Sequence, residues 1–115
     1  MNWSFKKYTE LSTDELYAIL QLRSIVFVVE QNCPYLDLDD KDQRSWHLLG
    51  WQKDQLVAYT RLLPAGVAFE EPSIGRVVTA PSVRRTGIGR ILMQKSIDDC
   101  HALFGKQPIQ IGAQR

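Results

Sequence analysis

Ile74-Gly75-Arg76-Val77-Val78-Thr79-Ala80-Pro81, followed by Arg84-Arg85-Thr86-Gly87-Ile88-Gly89-Arg90, is the stretch whose reading decides the fold. Its first half is β-rich, and Pro81 ends the strand because proline has no N–H to give the ladder. Its second half is a basic loop that runs into a helix. Glycines at 87 and 89 let the backbone turn tightly with its amides inward and no Cβ in the way. The helix that starts there adds free N–H groups and the positive end of its dipole. Together they make an anion cradle suited to a pyrophosphate, with Arg84, Arg85 and Arg90 adding charge around it.

Working outward, the helix is expected to run to about Phe104. Ile88, Leu92, Ser96, Cys100 and Leu103 lie along one face, and Met93, Ile97 and Phe104 broaden the arc. Gly105 is a good stop, and 109–113 reads as a last strand that should lie parallel to 73–79. Upstream, Trp46–Gln52 and Leu56–Leu63 read as a hairpin. Residues 30–45 are polar and turn-rich, with room for one helical turn. Ser12-Thr13-Asp14-Glu15 is a capping box, so a helix is expected from Thr13 to about Phe27. Arg23 falls inside its apolar stripe, and burying an unpaired guanidinium is costly, so the acidic segment downstream should supply its partner. A short first strand occupies 3–8. The order is β-α-loop-β-β-β-α-β, a mixed α/β (α+β) arrangement in one domain, 1–115.

Composition narrows the functional classes. The chain has 115 residues, 44% hydrophobic and 23% charged, with a net charge of +1. That is ordinary globular composition with no global pull toward nucleic acid or membrane. Cys33 and Cys100 are too few for a disulfide framework, and neither sits at a motif spacing for a thiol nucleophile. The N-terminus has no secretory pattern, and no apolar run spans a bilayer, so a cytoplasmic setting is expected. Trp3, Trp46 and Trp51 lack a basic face around them and read as core or pocket wall.

Other phosphate loops fit the 84–90 segment poorly. A P-loop needs Gly-Lys-Ser/Thr where Gly89-Arg90-Ile91 stands, and a dinucleotide fingerprint needs a third glycine where Leu92 stands. Arg84, Gly87 and Gly89 instead match Arg/Gln-x-x-Gly-x-Gly/Ala, the pyrophosphate loop of the GNAT acetyltransferases. The segment 74–90 resembles that superfamily's central motif. Leu22-Arg23, Phe27-Val28-Val29-Glu30-Gln31, Cys33-Pro34-Tyr35, Asp37-x-Asp39-x-x-Asp42, His47-Leu48 and Ala58-Tyr59-x-Arg61-Leu62 resemble its ElaA-type branch.

The resemblance implies the GNAT acyl-CoA N-acyltransferase fold, a mixed, mostly antiparallel sheet flanked by helices. It implies acetyl-CoA as co-substrate and a primary amine, on a small molecule or a peptide, as acceptor by direct attack. Val77, Val78 and Thr79 would lend their main chain to the pantetheine arm. The loop Arg84, Arg85, Thr86, Gly87, Ile88, Gly89 and Arg90 would hold the pyrophosphate, and the amide of Val78 would face the thioester carbonyl. Glu30 and His47 are the candidate catalytic groups. Tyr35, Asp37, Asp39 and Arg61 are the candidates on the acceptor side, with the aspartates as a negative rim for a cationic amine. Asp37-x-Asp39-x-x-Asp42 does not have calcium-loop spacing, and no metal is expected. Dimers are common in the superfamily, so a homodimer is among the implied partners. The resemblance stops near 109–114, and relatives continue into another helix and a closing hairpin, so the C-terminal part of the fold is expected to be missing. The rival expectation is a catalytically silent CoA-binding module.

Overall fold

The computed structural model describes residues 1–32, 34 and 36–112. Strands β1 (Asn2–Lys7), β2 (Trp46–Gln52), β3 (Gln55–Leu63), β4 (Ser73–Thr79) and β5 (Gln110–Ile111) form one sheet in sequential order. β1 to β4 pair antiparallel, and β5 joins β4 in parallel through Ser73↔Gln110 and Ile74↔Ile111. The parallel pair requires a crossover, and helix α2 (Ile88–Phe104) provides it.

Helix α1 (Thr13–Arg23) starts at the expected capping box: the Glu15 N–H donates to Ser12 Oγ (3.0 Å) and the Ser12 N–H donates to Glu15 Oε1 (2.8 Å). Its end differs from the expected Phe27. α geometry stops at Arg23, and a π-helical segment, Ser24–Glu30, continues the chain. Single π turns are often found at functional sites. Here the segment buries Val26 and Phe27 and carries Glu30 to the end of β4.

The two helices cover opposite faces of the sheet. In α2, Ile88, Leu92, Ser96 and Cys100 are buried, as the stripe predicts. Leu103 is exposed instead, because Phe104 makes the last sheet contact, edge-on to Trp46 at 5.7 Å. Ser96 Oγ bonds both Thr60 Oγ1 and the Leu92 carbonyl, each at 2.7 Å, which ties α2 to the middle of β3 without leaving either hydroxyl unpaired. Trp3 lies flat on β2 at Gly50, where an added Cβ would come within 2.6 Å of its ring. Among the described residues no helix is long and apolar enough to cross a membrane.

Candidate active site

β4 and β5 are paired only at the start of β4. The last bond between them runs from the Gly112 N–H to the Ile74 carbonyl (2.9 Å), and from Gly75 to Thr79 the edge of β4 has no partner among the described residues. The Thr79 end of this edge lies against the first turn of α2, where a Cβ on Gly89 would come 3.9 Å from Thr79 Cγ2. Its first helical bond runs from the Ile91 N–H to the Gly87 carbonyl (3.2 Å), so the N–H groups of Ile88, Gly89 and Arg90 precede the ladder. No side chain caps them, since the capping position is Gly87. Gly87 has φ +90°, a left-handed conformation that only glycine takes freely. Thr86 Oγ1 donates to the Val83 carbonyl and braces the turn. Free amides, a helix dipole and adjacent arginines fit a phosphate-bearing ligand.

Arg84 is already engaged. Its guanidinium donates to both carboxylate oxygens of Glu30 at 2.5 and 2.7 Å, and to the Thr79 carbonyl at 3.2 Å. The Arg84 hydrogen bonds and charge hold the Glu30 carboxyl below the usual range. Glu30 is thus held at the loop by Arg84.

A bulge shapes the open edge of β4. Arg61 pairs with Gly75 and Tyr59 with Val78, so Arg76 and Val77 together oppose Thr60. Arg76 takes the left-handed conformation, φ +52°. That costs a non-glycine residue about 1–2 kcal/mol, and ion pairing offsets it. Strand alternation fixes the amide directions. The Ala80 N–H bonds the Val57 carbonyl (2.8 Å), which turns the Val78 amide toward β3 and those of Val77 and Thr79 away from it, to the other edge of β4. The expected carbonyl donor, Val78, is thus spent within the sheet, and Val77 is the outward amide beside the bulge.

On the α1 face of the sheet, three arginines and three aspartates interlock. Arg23, fully buried, donates from Nε to Asp37 Oδ2 and from NH1 to Asp42 Oδ1, both at 2.7 Å. Arg61 donates to both Asp39 oxygens at 2.8 Å and to Asp42 Oδ1 at 3.0 Å. Arg76 donates to Asp37 Oδ1 (2.8 Å) and to the Asp37 carbonyl (2.9 Å), with Asp39 Oδ2 farther off at 3.4 Å. Burial pushes the Asp39 carboxyl upward, but the Arg61 hydrogen bonds and charge outweigh it and leave it well below the usual range. Asp42 shifts the same way, burial again being outweighed by Arg23 and Arg61. These carboxylates serve the arginines, so the negative rim expected for a cationic amine is largely neutralised from within.

His47 is fully buried behind this network. Its Nε2–H donates to the Asp42 carbonyl (3.0 Å), and its Nδ1 accepts from the Tyr59 hydroxyl (2.6 Å). Burial lowers its pKa from 6.5. The unfolded chain therefore binds more protons than the folded one as pH falls, and stability is lost as pH drops through about 6.5. Asp39 and Asp42, held low in the folded state, add a second loss in the carboxylate range. Denaturation midpoints at about pH 7.5 and about pH 5.5 are expected to show the first loss. His47→Gln is expected to flatten that interval and leave the acid limb in place.

A cavity of 230 Å³ lies beside the start of β4 and the end of β5, lined by Asp39, Lys41, Arg61, Phe69, Ser73, Ile74, Gly75, Arg76 and Gly112, among others. Thus the structure gathers Asp39 and Arg61 at this cavity, Glu30 and Arg84 at the loop, and Val77 to Thr79 between them. Asp37 braces the cavity wall from behind. His47 is in the core, and Tyr35 and Cys33 lie outside the described residues. Sequence reasoning missed Arg76, Ser73 and Lys41. The one available signal was Gly75, since glycine inside a strand often marks a bulge. A larger, 430 Å³ cavity lies between α1, the start of β3 and Ala80–Ser82, away from this one.

A mixed five-stranded sheet whose parallel pair is joined across a glycine-initiated helix fits the acyl-CoA N-acyltransferase class of fold. The chain belongs to the acetyltransferase (GNAT) family, whose model matches residues 7–113. Protein ElaA of Escherichia coli K12 is 43% identical over 116 residues, covering 99% of this chain and 76% of ElaA. The crystal structure of Escherichia coli ElaA is similar with a TM-score of 0.92, at 43% identity, covering 97% of this chain and 77% of that one. An acyl-CoA N-acyltransferase from Pseudomonas aeruginosa gives a TM-score of 0.93 at 40% identity, covering 98% of this chain and 79% of that one. At the level of fold alone, a Clostridium acetobutylicum protein solved with acetyl-CoA gives 0.70 at 13% identity, covering 99% of this chain and 81% of that one.

Proposed function

We propose that this chain is an N-acetyltransferase that moves the acetyl group of acetyl-CoA onto a primary amine by direct attack. The observation that carries this reading is the uncapped, glycine-initiated first turn of α2 beside the main-chain edge of β4. Family membership supports it, and so does a neighbour of the same fold solved with acetyl-CoA. The co-substrate, when bound, supplies an activated acyl group on sulfur. The loop 84–90 binds its pyrophosphate, and the outward main chain of Val77 and Thr79 receives the pantetheine arm. The Val77 N–H donates toward the thioester carbonyl oxygen, where negative charge grows during attack.

The amine attacks in its neutral form. A C–N bond forms as the C–S bond breaks, the amine nitrogen gives up one proton, and the thiolate takes one, so the products are an amide and free CoA thiol. In this reading Glu30 and His47 support the site and do not take the proton. Glu30 orients Arg84, and His47 holds Tyr59 and the turn at Asp42. A cytoplasmic setting suits the donor and the free, buried Cys100.

The fact that Glu30 is committed to Arg84 and His47 is buried also favours a second reading, a silent CoA-binding module. Two measurements separate the cases. Calorimetry should show saturable CoA binding, and its absence in a folded sample at high micromolar CoA sinks both readings. Free-thiol release from acetyl-CoA with a panel of amino acids, peptides and polyamines should then exceed the acceptor-free rate. Binding without any such release leaves the silent module.

A further inference from the structure

Resting on the acetyl-transfer reading, we propose that the cavity beside β4 and β5 binds a carboxylate on the acceptor, so that the substrate is an amine that also carries an acid group rather than a polycation. Two buried donors in the cavity lining have no partner. Arg61, 4% exposed, leaves its Nε–H without a partner, and Ser73, 2% exposed, leaves its hydroxyl without one. A buried donor left unpaired costs about 1–3 kcal/mol, so two beside one cavity call for an acceptor there. Lys41 also lines the cavity, and among the described residues its ammonium has no acidic partner.

The acid in the lining cannot answer them. Asp39 Oδ1 already accepts from Arg61 NH1 (2.8 Å) and the Lys41 N–H (3.2 Å), and its Oδ2 accepts from Arg61 NH2 (2.8 Å). Arg23, Arg61 and Arg76 balance Asp37, Asp39 and Asp42, so the charge left over beside the cavity is that of Lys41. Glu70 and Glu71 are exposed on the preceding loop and outside the lining. An ammonium group would meet the Lys41 ammonium and two donor hydrogens here, and no free acceptor. A carboxylate would accept from the Ser73 hydroxyl and the Arg61 Nε–H and pair with Lys41.

Placement and size agree. Arg61 faces Gly75 across the ladder and Ser73 faces Leu63, so all four share one face of the sheet, and Gly75 leaves open floor between the two unpaired donors. The bulge at Arg76 and Val77 adjoins that floor, so an acid group seated there places the rest of the acceptor at the open edge of β4. A volume of 230 Å³ has room for a short acid arm.

The test uses the full chain saturated with CoA. Glycine, β-alanine and γ-aminobutyrate are compared with methylamine, ethylamine, propylamine and spermidine. Backbone amides of Arg61, Ser73 and Gly75 are followed by NMR, and thiol release is measured with acetyl-CoA. The carboxylated amines are expected to shift those amides saturably and bind at least tenfold more tightly than the matched plain amines. Ser73→Ala removes a hydroxyl that has no partner in the fold, so it should leave stability intact and weaken the carboxylated amines about fivefold. Lys41→Gln should do the same. Equal or tighter binding of spermidine and the plain amines overturns the proposal, as does an unchanged preference in both variants, or no amide shift with any carboxylated amine. Calorimetric loss of CoA binding would instead indict the acetyl-transfer reading.

Discussion

Replacing Arg23 by alanine is expected to lower stability by about 3–5 kcal/mol, the largest effect of any single substitution in this chain. The guanidinium is fully buried and bridges two aspartates that are themselves nearly buried, Asp37 at 4% and Asp42 at 6% exposure. Its loss would leave Arg76 on Asp37 and Arg61 on Asp42, but one net negative charge would stay inside without a counter-ion. The Asp37 carbonyl would also lose its 3.1 Å bond from Arg23 NH2. Domains of this size hold only about 5–15 kcal/mol in total, so the loss is a large share. Denaturant midpoints with an unchanged slope would measure it. Arg23→Lys should fall between, because an ammonium cannot make the fork of bonds to Asp37 and Asp42 at once. An alanine variant within about 1 kcal/mol of the parent would show that the network contributes little.

Gly89→Asp is expected to weaken CoA binding by at least 100-fold while leaving the fold as stable as before or slightly more so. Gly89 is in the first turn of α2, and a Cβ there would meet only Thr79 Cγ2, at an ordinary 3.9 Å. No strain follows, unlike at Gly87, where φ is +90°. An aspartate in the first helical turn is favourable by about 0.3–1 kcal/mol, through the dipole. The same charge would occupy the amides that the pyrophosphate needs and repel it at close range. Melting temperature and calorimetry on one sample separate the two effects. Undiminished CoA affinity would remove the α2 N-terminus from the binding site.

Legibility followed sequence distance. The capping box at Ser12 and Glu15 spans three residues, and the structure reproduces it bond for bond. The α2 stripe depends on a 3.6-residue period, and four of its five named positions are buried, Leu103 being the exception. The parallel placement of β5 followed from a crossover helix between two strands. The bulge was not legible, because the left-handed residue is Arg76 and not the glycine beside it, and only the pairing of β3 with β4 selects which residue takes the strain.

The sequence by itself determined the order of elements, the glycine-initiated cradle and Arg23's need for an acidic partner. Each rests on periodicity, on a turn residue or on the cost of burying a charge, and these act within a few residues or on one side chain alone. The tertiary structure decided which charges meet: Glu30 with Arg84, Arg61 with Asp39, Arg76 with Asp37, and His47 with Tyr59. Those partners are 12 to 54 residues apart. No local rule ranks such pairs, because each aspartate could satisfy any of several arginines. Only the register of β3 against β4 and the path of the 30–45 segment bring particular donors within reach. The same packing leaves Ser73 and the Arg61 Nε–H unpaired beside a cavity, so a segment read as an acidic rim borders two unpaired donors.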